Sequence, residues 1–158
     1  MKLFRAALYA AVCGILSQII GSRLPRQWFH PDRFPFAPRE WEQEGSIYRR
    51  IGVHHWKDQL PDMSRILPSM VPKRILTGTA QEAHVLALET CVAEAVHFAL
   101  ILLSPGILIL CPGGVGVAAW MIYVLVLNLP YIIIQRYNRP KLLRLARRLH
   151  QKEAFPVL

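Results

Sequence analysis

The chain has 158 residues, 53% of them hydrophobic and only 18% charged, and its 19 Lys and Arg oppose 10 Asp and Glu for a formal net charge of +9. This composition excludes a disordered chain, which is poor in apolar residues, and departs from a soluble domain, in which about a quarter of the residues are charged. Nucleic-acid binding would account for the charge but leaves the long apolar runs unexplained, so the class indicated is an integral membrane protein with basic loops beside anionic lipid.

The first apolar run, residues 3–21, is broken only by Arg5, Ser17 and Gln18. At about 1.5 Å per residue it crosses the roughly 30 Å of a bilayer's hydrocarbon. A secretory leader is the competing reading, but no small-x-small cleavage site follows before Arg23-Leu24-Pro25, and an uncleaved anchor is expected. Residues 22–80 form an interfacial segment in which Arg and Lys alternate with Pro and with Trp28, Phe29, Phe34, Phe36, Trp41 and Trp56. Aromatic rings and long basic stems suit the headgroup layer, so short helices and turns against the bilayer are expected there.

A second span is expected over 83–110, interrupted by Glu89, Glu94 and His97. Pro105 removes a backbone donor, and the Gly-Pro punctuation predicts a kink or re-entrant turn near 104–114. The third span, 115–134, contains Tyr123, Asn128 and Tyr131. The tail, 135–158, places Leu142, Leu145 and Leu149 on one stripe among Arg144, Arg147 and Arg148, which predicts a basic amphipathic helix suited to an interface. The fold class expected is an all-α integral membrane protein forming a single membrane domain, 1–158: about three transmembrane helices, an interfacial loop region and a basic amphipathic C-terminal helix. Three spans put seventeen of the nineteen Lys and Arg on one face. The positive-inside rule then assigns the main loop and the tail to the cytoplasm and the N-terminus to the outside, as a multi-pass protein of the cell membrane.

Ionisable groups inside a span cost about 2.5–3.5 kcal/mol or more at the bilayer centre, and they mark sites or internal pairs. Glu94 and His97, three residues apart, share one helix face with Thr90, while Glu89 flanks them. A carboxylate that orients an imidazole makes a general base able to take a proton from an alcohol. The same E-x-x-H spacing supplies a di-iron bundle, but only as one of a pair on different helices. It occurs once here, so no metal centre is expected.

A second group, His54-His55-Trp56-Lys57-Asp58 with Asp62, offers a further candidate base and a cation beside a ring. The third is Asn128, Gln135, Arg136, Tyr137, Asn138 and Arg139, where two guanidinium forks suit a phosphate or carboxylate. The cysteines Cys13, Cys91 and Cys111 lie in or beside apolar runs without metal or disulfide spacing.

These motifs resemble the glycosyl-diaponeurosporenoate acyltransferases of C30 carotenoid biosynthesis. Gly21-Ser22-Arg23-Leu24-Pro25 is similar to a G-[ST]-R-[LI]-P motif, followed by Gly45, Trp56-Lys57 and Asp62. Glu89-Thr90, Glu94 and His97 match E-T-x-x-x-E-x-x-H, and Ile132 to Pro140 match I-I-x-Q-R-Y-N-R-P, the most distinctive block. His54, His55 and Asp58 fall outside the resemblance.

The resemblance implies a membrane-bound O-acyltransferase that moves a fatty acyl group to a sugar hydroxyl of a glycosylated carotenoid or similar glycolipid. The acyl donor, acyl-CoA, is a co-substrate, and no cofactor is implied. The expected catalytic residues are His97, Glu94, Asn138 and Gln135. Lys57, Trp56, Asp62, Glu89, Thr90, Arg136, Tyr137 and Arg139 are expected to bind substrate. The expected partners are membrane lipids, the glycolipid acceptor and the acyl donor, with no nucleic acid. The alternative is a non-catalytic membrane subunit that binds lipid or organises a biosynthetic complex.

Overall fold

The amino-terminal apolar run forms a single 22-residue helix, α1 (Lys2–Arg23), whose outward side chains include Leu8, Ile15 and Ile20. A computed structural model of the chain describes residues 1–60 and 78–154; Asp62 lies outside the described residues. The remaining helices are α2 (Ser46–Arg50), α3 (Val53–Trp56), α4 (Ala80–Leu103), α5 (Gly106–Leu110), α6 (Gly114–Leu125) and α7 (Leu129–Ala154), with short 3-10 turns at Arg26–Trp28 and Glu40–Gly45. No strand occurs among the described residues. Three helical stretches, Lys2–Arg23, Ala80–Leu110 and Gly114–Ala154, are long and apolar enough to cross a membrane. The protein is an all-α integral membrane protein.

Two compact units divide the chain, one comprising 1–24 and 93–132 and the other 25–92 and 133–158. The first unit packs Ala6 of α1 against Ile107 and Cys111, with Tyr9, Trp120 and Tyr123 around them. Ala6, Cys111, Ala10 and Ala119 are small members of this cluster; lipid tails are as apolar as the side chains, so helices associate by close approach and by satisfying polar groups. Gly116 shows the limit of that approach, since a Cβ there would lie 1.5 Å from the Cys111 carbonyl oxygen.

The expected bend near 104–114 is present. α4 stops at Leu103, and α5 follows directly after Ser104-Pro105. Carbonyls released by the break find partners at once. Ser104 Oγ donates to the Ile101 carbonyl at 2.6 Å, Trp120 Nε1 donates to Ser104 Oγ at 2.8 Å, and Tyr9 OH donates to the Leu103 carbonyl at 2.9 Å. In hydrocarbon an unmet backbone group costs several kcal/mol, which is why such a break carries its own donors.

The third apolar stretch, with an expected span of 115–134, is built from two helices. The helix breaks at residues 126–128, and α7 then continues from Leu129 to Ala154 through Pro140, so span and tail are one helix. The physical reason lies in Asn128: its carbonyl accepts the N–H of Tyr131 and Ile132, starting a new helix, and its Nδ2 donates to the Tyr123 carbonyl of the old one at 2.8 Å. Hydropathy cannot show this, because the residues on both sides of the break are equally apolar. Pro130 lies in the first turn of α7, where its missing N–H costs nothing.

The second unit has its own apolar centre, made by Tyr48, Val53 and Tyr137 with Ile47, Trp56, Ile133 and Ile134 against them. The interfacial segment is too poor in aliphatic residues to fold alone, and α7 supplies the missing surface.

Candidate active site

In the second unit the guanidinium groups of the Gln135-Arg136-Tyr137-Asn138-Arg139-Pro140 block point into protein. Arg136 donates through one nitrogen to both oxygens of Glu42, at 2.9 and 3.0 Å, and through the other to the Pro35 carbonyl at 3.0 Å. Glu42 is 1% exposed, and it also accepts from Tyr48 OH and, at 2.6 Å, from the Arg39 backbone N–H. Burial, the largest single influence, pushes this carboxyl up, but the Arg39 N–H, Tyr48 and Arg136 together outweigh it and hold it below the ordinary carboxylate value. A buried charge is tolerated on these terms, paired and fully hydrogen-bonded.

Local backbone conformation delivers Glu42 to that position. Gln43, Glu44 and Gly45 are all left-handed, with φ of 47°, 54° and 87°. Each non-glycine residue there costs on the order of 1–2 kcal/mol. Gly45 is required twice over, because a Cβ would also lie 3.2 Å from both the Pro140 ring and the Tyr137 carbonyl. Gly45 and Pro140, far apart in sequence, thus belong to one contact.

Arg139 is equally buried at 1% exposure. Its Nε donates to Thr90 Oγ1 at 2.8 Å, and its terminal nitrogens donate to the Thr90 and Phe36 carbonyls at 3.0 and 2.6 Å. The guanidinium also lies 5.5 Å from the Phe36 ring centroid. Arg26 forms a two-point pair with Glu89 at 2.7 and 3.0 Å. Tyr137 is buried in the apolar centre with Trp56 beside it, and Lys141 Nζ lies over its ring. Gln135 is buried and Asn138 half-buried on α7. Lys57 pairs with the exposed Asp58 at 2.7 Å. The His54 and His55 rings lie 3.8 Å apart, and burial first, then His55, Arg49 and Lys141, hold His54 below its ordinary value.

The first unit contains the imidazole. His97 Nδ1 lies 3.0 Å from Asn128 Oδ1, and its ring stacks on Tyr131 with centroids 4.8 Å apart and planes 9° from parallel. Glu94, one turn before His97 on α4, is 1% exposed. Among the described residues no group of three or more His, Cys, Asp and Glu could hold a metal ion.

Sequence reasoning missed Glu42, Tyr48, Arg26 and Phe36. Glu40, Glu42 and Glu44 alternate along an irregular loop, so spacing could not single out the middle one. Asn128 and Tyr131 were visible as polar members of a span, but their meeting with His97 was not.

Together these features define a class, an integral membrane protein with one half-buried imidazole among apolar helices and an arginine-rich helix locked by internal acceptors. Residues 25–148 match the family model of glycosyl-4,4'-diaponeurosporenoate acyltransferase. The chain is 27% identical over 159 residues to the protein of that name from Staphylococcus aureus strain MRSA252, covering 96% of this chain and 94% of that protein. It is 26% identical over 157 residues, with the same coverage, to its counterpart in strain N315. No solved structure matches. The chain belongs to the glycosyl-4,4'-diaponeurosporenoate acyltransferase family and is an acyltransferase.

Proposed function

We propose that the protein transfers a fatty acyl group from a thioester donor such as acyl-CoA to a sugar hydroxyl of a membrane glycolipid, with His97 as general base. The named substrate of the relatives, a glycosylated diaponeurosporenoate, is the leading acceptor. The imidazole takes the hydroxyl proton as the oxygen attacks the acyl carbonyl, a tetrahedral intermediate collapses, and the departing thiolate receives that proton. Glu94 compensates the charge on the imidazolium while it exists.

The observation that carries this reading is His97 itself, an ionisable ring on an apolar helix, aligned by a hydrogen bond and a stacked aromatic. Arg136 and Arg139 have intramolecular acceptors, so we assign them to shaping the second unit and assign recruitment of the donor's phosphates to Lys57 and the exposed basic residues of α7. The Lys and Arg distribution supports a cytoplasmic main loop and tail.

In membranes containing the full chain, labelled acyl donor and glycosylated carotenoid, His97→Ala is expected to lower transfer by about 100-fold to 10,000-fold. Full transfer by that variant would remove His97 from the role of base.

A further inference from the structure

We infer that Asn128 is the positioning residue of His97, holding the neutral imidazole as the tautomer with its proton on Nδ1 and so leaving Nε2 as the atom that accepts the substrate's proton. The inference rests on the reading of His97 as base and adds the residue that selects which nitrogen acts.

The chemistry of the acceptors carries the argument. The Tyr123 carbonyl can only accept, so the amide group 2.8 Å from it is the NH2 of Asn128. That orientation turns Asn128 Oδ1 toward His97 Nδ1, 3.0 Å away. An amide oxygen also only accepts, so the proton between the two lies on Nδ1. In water a neutral imidazole prefers the opposite tautomer, with Nε2 protonated and unable to act as base.

Asn128 is held firmly enough for this task. It is 1% exposed, and its carbonyl accepts from Tyr131 and Ile132 at the start of α7. Tyr131, anchored by that bond, stacks on the imidazole and limits its rotation. The break between α6 and α7 therefore orients the ring twice, through the Asn128 amide and through the Tyr131 face. Tautomer control belongs to Asn128, and charge compensation to Glu94.

The test uses the full chain in lipid nanodiscs, with histidine labelled at both ring nitrogens by an NMR-active isotope and the His97 signals identified by their loss in His97→Gln. Neutral His97 should show a protonated Nδ1 and an unprotonated Nε2. Asn128→Ala should move the proton to Nε2 and lower kcat by about 100-fold with KM little changed. Protonated Nε2 in the wild-type neutral ring, or wild-type kcat in Asn128→Ala, would overturn the inference; the first measurement needs no variant at Asn128. The expected tautomer together with full transfer by His97→Ala would overturn the base reading while leaving the Asn128 contact in place.

Discussion

The two units solve the problem of buried polar groups in opposite ways. In the first, apart from Glu94 and the His97 group, the interior polar side chains repair helix breaks: Ser104, Trp120 and Tyr9 serve the one near Pro105, and Asn128 the one after α6. In the second, charged groups are buried in numbers and neutralised by one another or by carbonyls, as with Glu42 and Arg136. The difference follows from the solvent. Hydrocarbon supplies no hydrophobic drive between helices and no hydrogen bonds, so close packing and local repair prevail. A segment rich in Arg, Pro and aromatic rings but poor in aliphatic residues must instead use directional bonds to define one structure.

The largest effect is expected at Glu42. Glu42→Ala leaves the half-buried Arg136 without the Glu42 carboxylate and is expected to destabilise the second unit by about 3–5 kcal/mol. Thermal unfolding in detergent followed by tryptophan fluorescence checks this, since Trp28, Trp41 and Trp56 lie in that unit and only Trp120 in the other. The matching change in the first unit is Gly116→Ala, whose added methyl meets backbone. It should cost about 1–3 kcal/mol, the usual range for overpacking, and move the Trp120 signal before those of the second unit.

Acid sharpens the contrast further. The folded Glu42 carboxyl titrates below its ordinary value of 4.5, so its stabilising contribution is complete above that pH and is lost as the pH falls through the lower, folded value. Melting near pH 7 and near about pH 3 should therefore show a selective acid loss in the second unit, flattened in Glu42→Gln. Smallest of all is the effect of Lys57→Ala on stability, below about 1 kcal/mol because its partner Asp58 is exposed. A lowered affinity for acyl donor in that variant, read as a raised KM, would mark its charge as functional.

Much of the site was legible as residue types and little as pairings. The E-T-x-x-x-E-x-x-H pattern placed Thr90, Glu94 and His97 on one helix, and the Gln-Arg-Tyr-Asn-Arg-Pro block stood out by density alone. Spacing nominated Glu94 as a partner of His97 but gave no sign of Asn128, 31 residues away, whose Oδ1 lies 3.0 Å from His97 Nδ1. Arg136 meets Glu42 across 94 residues and Arg139 meets Thr90 across 49. No periodicity within a segment encodes contacts at that range.

The sequence by itself determined the helical class, the apolar runs and the bend after residue 103, because hydropathy and the missing N–H of proline act within a few residues. Tertiary structure alone decided that span and tail join in one helix through Pro140, that the Glu42 carboxylate is the one selected from three, and that Asn128 faces the imidazole. Those choices depend on which donors and acceptors meet when distant segments pack, and each is settled by the cost of leaving a polar group unmet.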